Sequence, residues 1–437
     1  MSDLKERLRR LRAGCGFVQT PSDRERSTRE TALPTSRMWD LYRRYRQESP
    51  HILAVPPTDL PTDIVGAEIE TPYGVCFYRE KWLLPTPFWP WDDLTTCAAV
   101  ILGRADDPTC TGRLSEWLFL DVETTGLGGG VGVLPFLVGI GRVEDGMLRV
   151  RQFFLRTLEE EPAMLWALAE HITQSRGIVT YNGKTYDRHV LYNRMRLYHM
   201  ELDIRTWPHI DMYHWVRALW RGIWPDVRLQ TAEYQLWGWT RSVDLAGAEI
   251  PAAYRAYLRT GASEYIYRIF AHNLQDIQSL AGLTLTVARL LQQPQDAAAQ
   301  PQILYRIGRR VMRSDWRWGV QLWETVLSAD TVSARVRTGV VIHGLRVLRR
   351  YRAWDRIHRW LRLVDRHQIE ALHPIAWARL AYYAYRYARD ARRAIELLHR
   401  AIAHPDAHPT DRERWLRRQN WLERKRQPPL DVSDSAD

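Results

Sequence analysis

Residues 117–126 read WLFLDVETTG, an apolar run that ends in two acids, Asp121 and Glu123. Such a run reads as a buried strand whose carboxyl end reaches solvent. A period of two puts both carboxylates on one face of that strand, at the end where α/β sheets bind their ligands. Outward from it, the glycine-rich TGLGGGVGV (125–133) turns the chain into LPFLVGIGRV (134–143). Asp145-Gly146 then reverses it into MLRVRQFFL (147–155), a predicted hairpin. EPAMLWALAEHI (161–172) has the period of an amphipathic helix, GIVTYN (177–182) that of a short buried strand, and YDRHVLYNRMRLYHM (186–200) that of a second helix. Strand, hairpin, helix, strand, helix predicts a layered α/β domain with a mixed sheet.

Two further acids join the first pair. Asp187 stands at the strand-to-helix junction after GIVTYN, five residues beyond Asn182, and so reaches the same end of the sheet. His272 and Asp276 lie four apart in FAHNLQDIQSLAGL (270–283), a spacing that stacks them one helical turn apart. Phosphodiester hydrolysis requires a strong nucleophile and neutralised charge on the attacking and leaving oxygens, and two divalent ions held by converging carboxylates supply both. Mg²⁺ and Mn²⁺ prefer such hard oxygen ligands. A histidine one turn from a metal-binding Asp is well placed to take a proton from water.

FLDVETTGL (119–127), YNGKTYD (181–187) and HNLQDIQSL (272–280) resemble, in order, the three motifs of the DnaQ-like exonucleases, proofreading-type members of the ribonuclease-H-like superfamily. The intervening segments GGGVGVLPFLVGIGR (128–142), HIDMYHWVRALW (209–220) and AEIPAAYRAYLRTG (248–261) are similar to the bacterial YprB-type group of predicted exonucleases. The resemblance implies a ribonuclease-H-like domain with a mixed five-stranded sheet and flanking helices. It also implies a 3′-5′ exonuclease acting on single-stranded ends of DNA or RNA with two divalent cations, Mg²⁺ or Mn²⁺. Carried over by position, Asp121, Glu123, Asp187 and Asp276 would hold the metals, and His272 would be the general base. Thr124 and Thr125 would seat the terminal nucleotide, and Asn182 would orient the substrate or the loop carrying Asp187. One departure concerns His272, which stands four residues before the final Asp, where the family's histidine stands five before and its tyrosine variant four. Tyr267 is a secondary candidate for the base. The competing readings are an endonuclease on the same fold and a non-catalytic adaptor whose sheet domain binds nucleic acid while its helical end binds a protein.

Of the 62 basic residues 58 are arginine, and the net charge of +11 is unevenly spread. Residues 301–437 carry 28 basic and 15 acidic residues, residues 1–46 carry 12 and 6, and the stretch between is net acidic. Arginine concentrated at the two ends suits a polyanionic partner, because its fork binds phosphate bidentately and releases counterions. Beyond Pro301 the chain reads as helices with a repeat of ~37–38 residues. Trp316, Trp354 and Ala391 occupy equivalent places, as do Gly319, Ile357 and Ala394. A helix-turn-helix solenoid of tetratricopeptide (TPR) type is expected there, open to a protein partner.

The expected domains are a basic, weakly structured arm (1–60) and the ribonuclease-H-like domain with an N-terminal strand extension (61–300). A TPR-like helical domain (301–426) and a disordered tail (427–437) follow. IVGAEIETPYGVCF (64–77) reads as strands around a turn, and KWLLPTPFWPWDDL (81–94) as an irregular docking loop. Met1–Arg12 is a short basic helix pattern without an apolar core, so no secretory signal is expected. No apolar stretch approaches the ~18–20 residues of a membrane span. Cys15, Cys76, Cys97 and Cys110 show no CxxC spacing, and a cytoplasmic protein with reduced thiols is the expectation.

Overall fold

The computed structural model describes residues 66–86, 88–96, 110–126, 132–241, 245, 247–260, 264–294, 300–312, 315–329, 332–366 and 372–426. The expected basic arm, the acidic tail, Cys15, Cys97 and the glycines 128–130 lie outside them. The chain forms two compact units, one ending at Ala288 and the other beginning at Arg289.

Among the described residues the first unit has seven strands: β1 (Ala67–Thr71), β2 (Gly74–Leu83), β3 (Leu118–Thr124), β4 (Pro135–Glu144), β5 (Met147–Phe154), β6 (Ile178–Thr180) and β7 (His209–Asp211). They form one sheet in the order β1-β2-β5-β4-β3-β6-β7. β3 runs antiparallel to β4 and parallel to β6, so the sheet is mixed as expected. It has seven strands and not five, because β2 pairs along β5 from Tyr78 opposite Phe153 to Leu83 opposite Leu148. In a five-stranded sheet β5 would be an edge with unpaired N–H and C=O groups, and the β1–β2 hairpin satisfies them. The β4–β5 hairpin turns through Asp145 and Gly146, both at positive φ (48° and 77°), as a tight two-residue turn demands.

The helices α1 (Glu161–Thr173), α2 (Asp187–Leu197), α3 (Met212–Trp220), α4 (Leu229–Trp237), α5 (Ile250–Thr260) and α6 (Glu264–Gln292) surround the sheet. Alternation along β5 decides which helix meets which side. Arg151 and Phe153 face His171 of α1, whereas Gln152 and Phe154 face Asn273 and Phe270 of α6. Trp117, Phe119, Phe136, Phe153 and Phe154 are fully or almost fully buried between these layers. Each such side chain contributes about 1.5–3 kcal/mol by leaving water.

The tryptophan-rich segment after β2 is not a surface docking loop. Trp89 and Trp91 are buried and stacked at 5.7 Å, and the edges of Trp237 and Trp239 close over Trp89 at 4.9 and 5.5 Å. The Trp91 Nε1 finds the partner a buried indole N–H usually has, donating to the carbonyl of Leu84 at 3.2 Å, whereas Trp89 is held by ring contacts.

The second unit holds the helices α7 (Pro301–Val311), α8 (Trp316–Ser328), α9 (Ala334–Arg350), α10 (Trp354–Arg366), α11 (Pro374–Arg386), α12 (Ala391–Ala403) and α13 (Pro409–Arg426). Trp316, Trp354 and Ala391 are the first residues of α8, α10 and α12, and Gly319, Ile357 and Ala394 are buried one turn later. Trp316 stacks on Tyr351 and Trp354 on Tyr387, each at 4.6 Å, so one packing device recurs in successive helix pairs. Asp315 and Asp390 cap the starts of α8 and α12 by accepting from Arg317 N and Arg393 N. No helix among the described residues is long and apolar enough to cross a membrane.

His171 gives this fold a pH dependence. Burial, and then the charges of Arg142 and Arg149, lower its pKa from 6.5 to about 4. Its Nε2 lies 3.1 Å from the Arg151 Nη1, which can only donate, so the ring is held as a neutral acceptor. The unfolded chain therefore takes up this proton first, and the stability present above pH 6.5 is lost as the pH falls toward about 4. Urea unfolding of the wild type and His171→Gln across that window should show the shallower decline in the variant. Parallel curves would contradict it.

Candidate metal and acid site

β3 brings Asp121 and Glu123 to its carboxyl end as half-buried residues on either side of the buried Val122. Asp121 lies opposite Gly139 of β4, which lies opposite Gln152 of β5, so the three share one row and one face. Over that row lies Asn273 of α6, without solvent exposure. Its Nδ2 donates to the Asp121 Oδ2 at 2.8 Å, and its Oδ1 accepts from the Gln152 Nε2 at 2.9 Å. Gln152 also donates to the carbonyl of Phe270 at 2.8 Å, which fixes its amide. A side chain at position 139 would collide with the Asn273 amide, so the glycine there is required by close approach. This chain of hydrogen bonds registers α6 on the sheet and holds one Asp121 oxygen in a set direction.

α6 then presents His272 and Asp276 beside Glu123. The His272 Nε2 lies 3.2 Å from the Asp276 Oδ2 and 3.7 Å from the Glu123 Oε1. Glu123, His272 and Asp276 each offer a ligand atom within 4.8 Å of the others, a group able to hold a metal ion. Asp187 opens α2 and is buried. Burial, and then the charges of Glu123, Asp211 and Asp276, raise its pKa from 3.8 to about 8. Burial, followed by Asp276 and Asp187, also drives Asp121 well above the carboxylate range, against the pull of His272 and Asn273. For Asp276 burial again acts upward, but the hydrogen bond from His272 and the charge of Arg241 outweigh it and hold the group low. Carboxylates this crowded repel one another, and a divalent cation relieves that repulsion; the hard oxygen donors suit Mg²⁺ or Mn²⁺.

The remaining expected residues make local hydrogen bonds and ring contacts. The buried Thr124 hydroxyl donates to the Gly126 carbonyl at 2.8 Å and lies 3.0 Å from the Tyr186 hydroxyl. Thr125 accepts from Leu134 N through its hydroxyl at 3.1 Å and from the Arg255 Nη1 through its carbonyl at 2.8 Å. Asn182 is exposed, at φ 66°, and its side chain accepts from the hydroxyl of Thr185 in the loop that leads to Asp187. Tyr267 lies one turn and more before His272 in α6, where its ring faces Arg79 at 5.9 Å.

The loop before Asp187 is oriented by Asp211, which the sequence did not single out. From the end of β7 its two oxygens accept from Asn182 N at 2.8 Å and Lys184 N at 3.0 Å, and it caps α3 through Tyr213 N. Gly183 permits that path, since a Cβ there would stand 2.7 Å from the Thr180 side chain and 2.8 Å from the Asp187 Oδ2. Arg241 was equally unforeseen. It pairs with Asp276 and, at 2.9 and 2.5 Å, with both oxygens of Glu233, and all but a few per cent of the Arg241 and Glu233 side chains is buried. Asn273 had a local signal, being three residues from Asp276 on one helix; Arg241, 35 residues from Asp276, had none.

Arg241→Met should cost about 3–5 kcal/mol in urea unfolding, because Glu233 would be left buried without its counter-charge. The double variant with Glu233→Gln should recover a large part of that loss, and additive losses would refute the coupling.

Comparison with known proteins agrees with this geometry. Residues 118–288 match the RNase H superfamily. Uncharacterized protein YprB of Bacillus subtilis (strain 168) is 29% identical over 195 residues, 44% of this chain and 47% of that protein. The chain thus spans about half the length of that relative. Among solved structures, the family B DNA polymerase of Pyrobaculum calidifontis aligns with 47% of this chain and 28% of its own at 16% identity and a TM-score of 0.33, a likeness too slight to bear on function. The matched region carries all four acids, His272 and Asn273; it is similar to the RNase H superfamily, and the chain is similar to YprB over part of its length.

Proposed function

We propose that the first unit is a metal-dependent 3′-5′ exonuclease that hydrolyses terminal phosphodiester bonds of single-stranded DNA or RNA. The observation that carries this reading is the convergence of Asp121, Glu123, Asp187 and Asp276 around His272 at one end of the sheet. Those four carboxylates would hold two divalent cations. Such ions, when bound, activate the attacking water and neutralise charge on the attacking and leaving oxygens.

The protein's own groups do the rest. Asn273, locked by Gln152, holds one Asp121 oxygen in place and leaves the other for a ligand. The Nε2 of His272 faces Glu123 and Asp276, within reach of a water held between them. As general base it would accept that water's proton at Nε2 once the hydrogen bond it gives Asp276 is exchanged for one from the water, with Nδ1 carrying the ring's other proton. Asp211 fixes the loop that places Asp187 through the backbone of Asn182 and Lys184. The helical unit, from Arg289 on, reads as a TPR-like domain that would supply surface for nucleic acid or a protein.

A second reading is a non-catalytic nucleic-acid-binding adaptor. It is favoured by the ion pair of Arg241 with Asp276, which occupies one of that acid's two oxygens. The two readings separate on one assay. Purified full-length protein is incubated with 5′-labelled single-stranded DNA and RNA in Mg²⁺, Mn²⁺ or EDTA. The exonuclease gives a metal-dependent ladder shortening from the 3′ end, lost in Asp121→Asn/Glu123→Gln. His272→Ala should lower the rate by about 10²–10⁴-fold, the span of general-base contributions. Binding without cleavage under every condition would establish the adaptor.

A further inference from the structure

Within the helical unit, α11, α12 and α13, with Arg349 of α9, enclose a cleft of about 700 Å³. That volume is within the ~300–1,000 Å³ range of ligand sites. Its floor is apolar, with Trp415 and Leu422 buried, and its polar lining consists of arginine, tyrosine and tryptophan side chains alone. Arg349, Arg379 and Arg418 form no ion pair with a carboxylate among the described residues. The Arg418 guanidinium lies over the Trp421 ring at 4.2 Å and the Tyr385 ring at 5.2 Å, and Tyr382 is 45% exposed at the rim.

We infer that this cleft is a binding site for single-stranded nucleic acid, read without base specificity. Guanidinium groups without a carboxylate partner neutralise phosphates, while exposed aromatic faces and a ring-stacked guanidinium offer platforms for bases. A base-reading site would call for Asn or Gln on base edges, and an acidic peptide, the competing polyanion, is an arm of the test below. The cleft lining holds no Asn, Gln, Ser, Thr, Asp or Glu. The assignment goes beyond the exonuclease reading and draws on it only for the choice of polyanion.

The test is fluorescence anisotropy of the full-length protein in EDTA with a fluorescein-labelled oligodeoxythymidylate or oligouridylate of about 20 nucleotides, long enough to fill such a site. Arg379→Glu/Arg418→Glu should weaken binding of both by about tenfold or more and flatten the salt dependence by about one unit of slope for each phosphate no longer held. Arg392→Glu, at an exposed α12 residue outside the cleft, reverses a charge and gives up only a surface pair with Glu396, and should leave affinity within about twofold. Tyr382→Ala should lose about tenfold and Tyr382→Phe should retain binding, since a stacking ring needs no hydroxyl. That pair keeps the test decisive even if the double variant fails to fold, which circular dichroism would show. Cleft variants binding like Arg392→Glu, or an oligoglutamate peptide displacing the oligonucleotide at equal concentration, would overturn the assignment. Asp121→Asn/Glu123→Gln should bind normally, so loss of cleavage and loss of cleft binding are read separately.

Discussion

Asn273 is buried without exposure, and its amide has to find partners inside the protein or destabilise the fold. It finds Asp121 on one strand and Gln152 on another, across a glycine that leaves room for it. The position of α6 over the sheet follows from that pairing, because a shift along the helix would strand the amide and drive it against β4. His272 and Asp276 ride on the same helix, so the register that satisfies Asn273 also sets where they stand relative to Glu123. Site geometry and core packing are thus one constraint here.

Electrostatics works against that arrangement. Asp121 and Asp187 are both raised by burial and by their acidic neighbours. Asp276 escapes the same fate because Arg241 and His272 stand beside it. The buried Glu233 in turn answers Arg241, so the positive charge enters the site already balanced. A protein that keeps several carboxylates together in a partly dry pocket accepts a loss of stability there, and such groups cluster where chemistry is done.

The helical unit uses a simpler device. Indole-on-phenol stacks at Trp316–Tyr351 and Trp354–Tyr387 recur between successive helix pairs, with an aspartate cap where α8 and α12 begin. The last helix, α13, carries its arginines on a sequence of low apolar content, and the cleft beneath it keeps a charged rim over a dry floor.

Much of this was legible in the sequence because it is local. The strand ending in Asp121 and Glu123, the hairpin at Asp145-Gly146, the junction at Asp187 and the i, i+4 pair His272–Asp276 each depend on periodicity within a few residues. The period of Trp316, Trp354 and Ala391 was legible for the same reason. What tertiary structure alone decided is long-range pairing. That β2 would extend the sheet past β5, that Trp89 and Trp91 would be core, and that Asp211 would hold the Asp187 loop depend on segments far apart in the chain. Arg241 meets Asp276 only because two distant segments converge, and no spacing in the sequence encodes that distance. Local pattern fixes which face of an element carries its acids; only packing determines which buried charge stands opposite them.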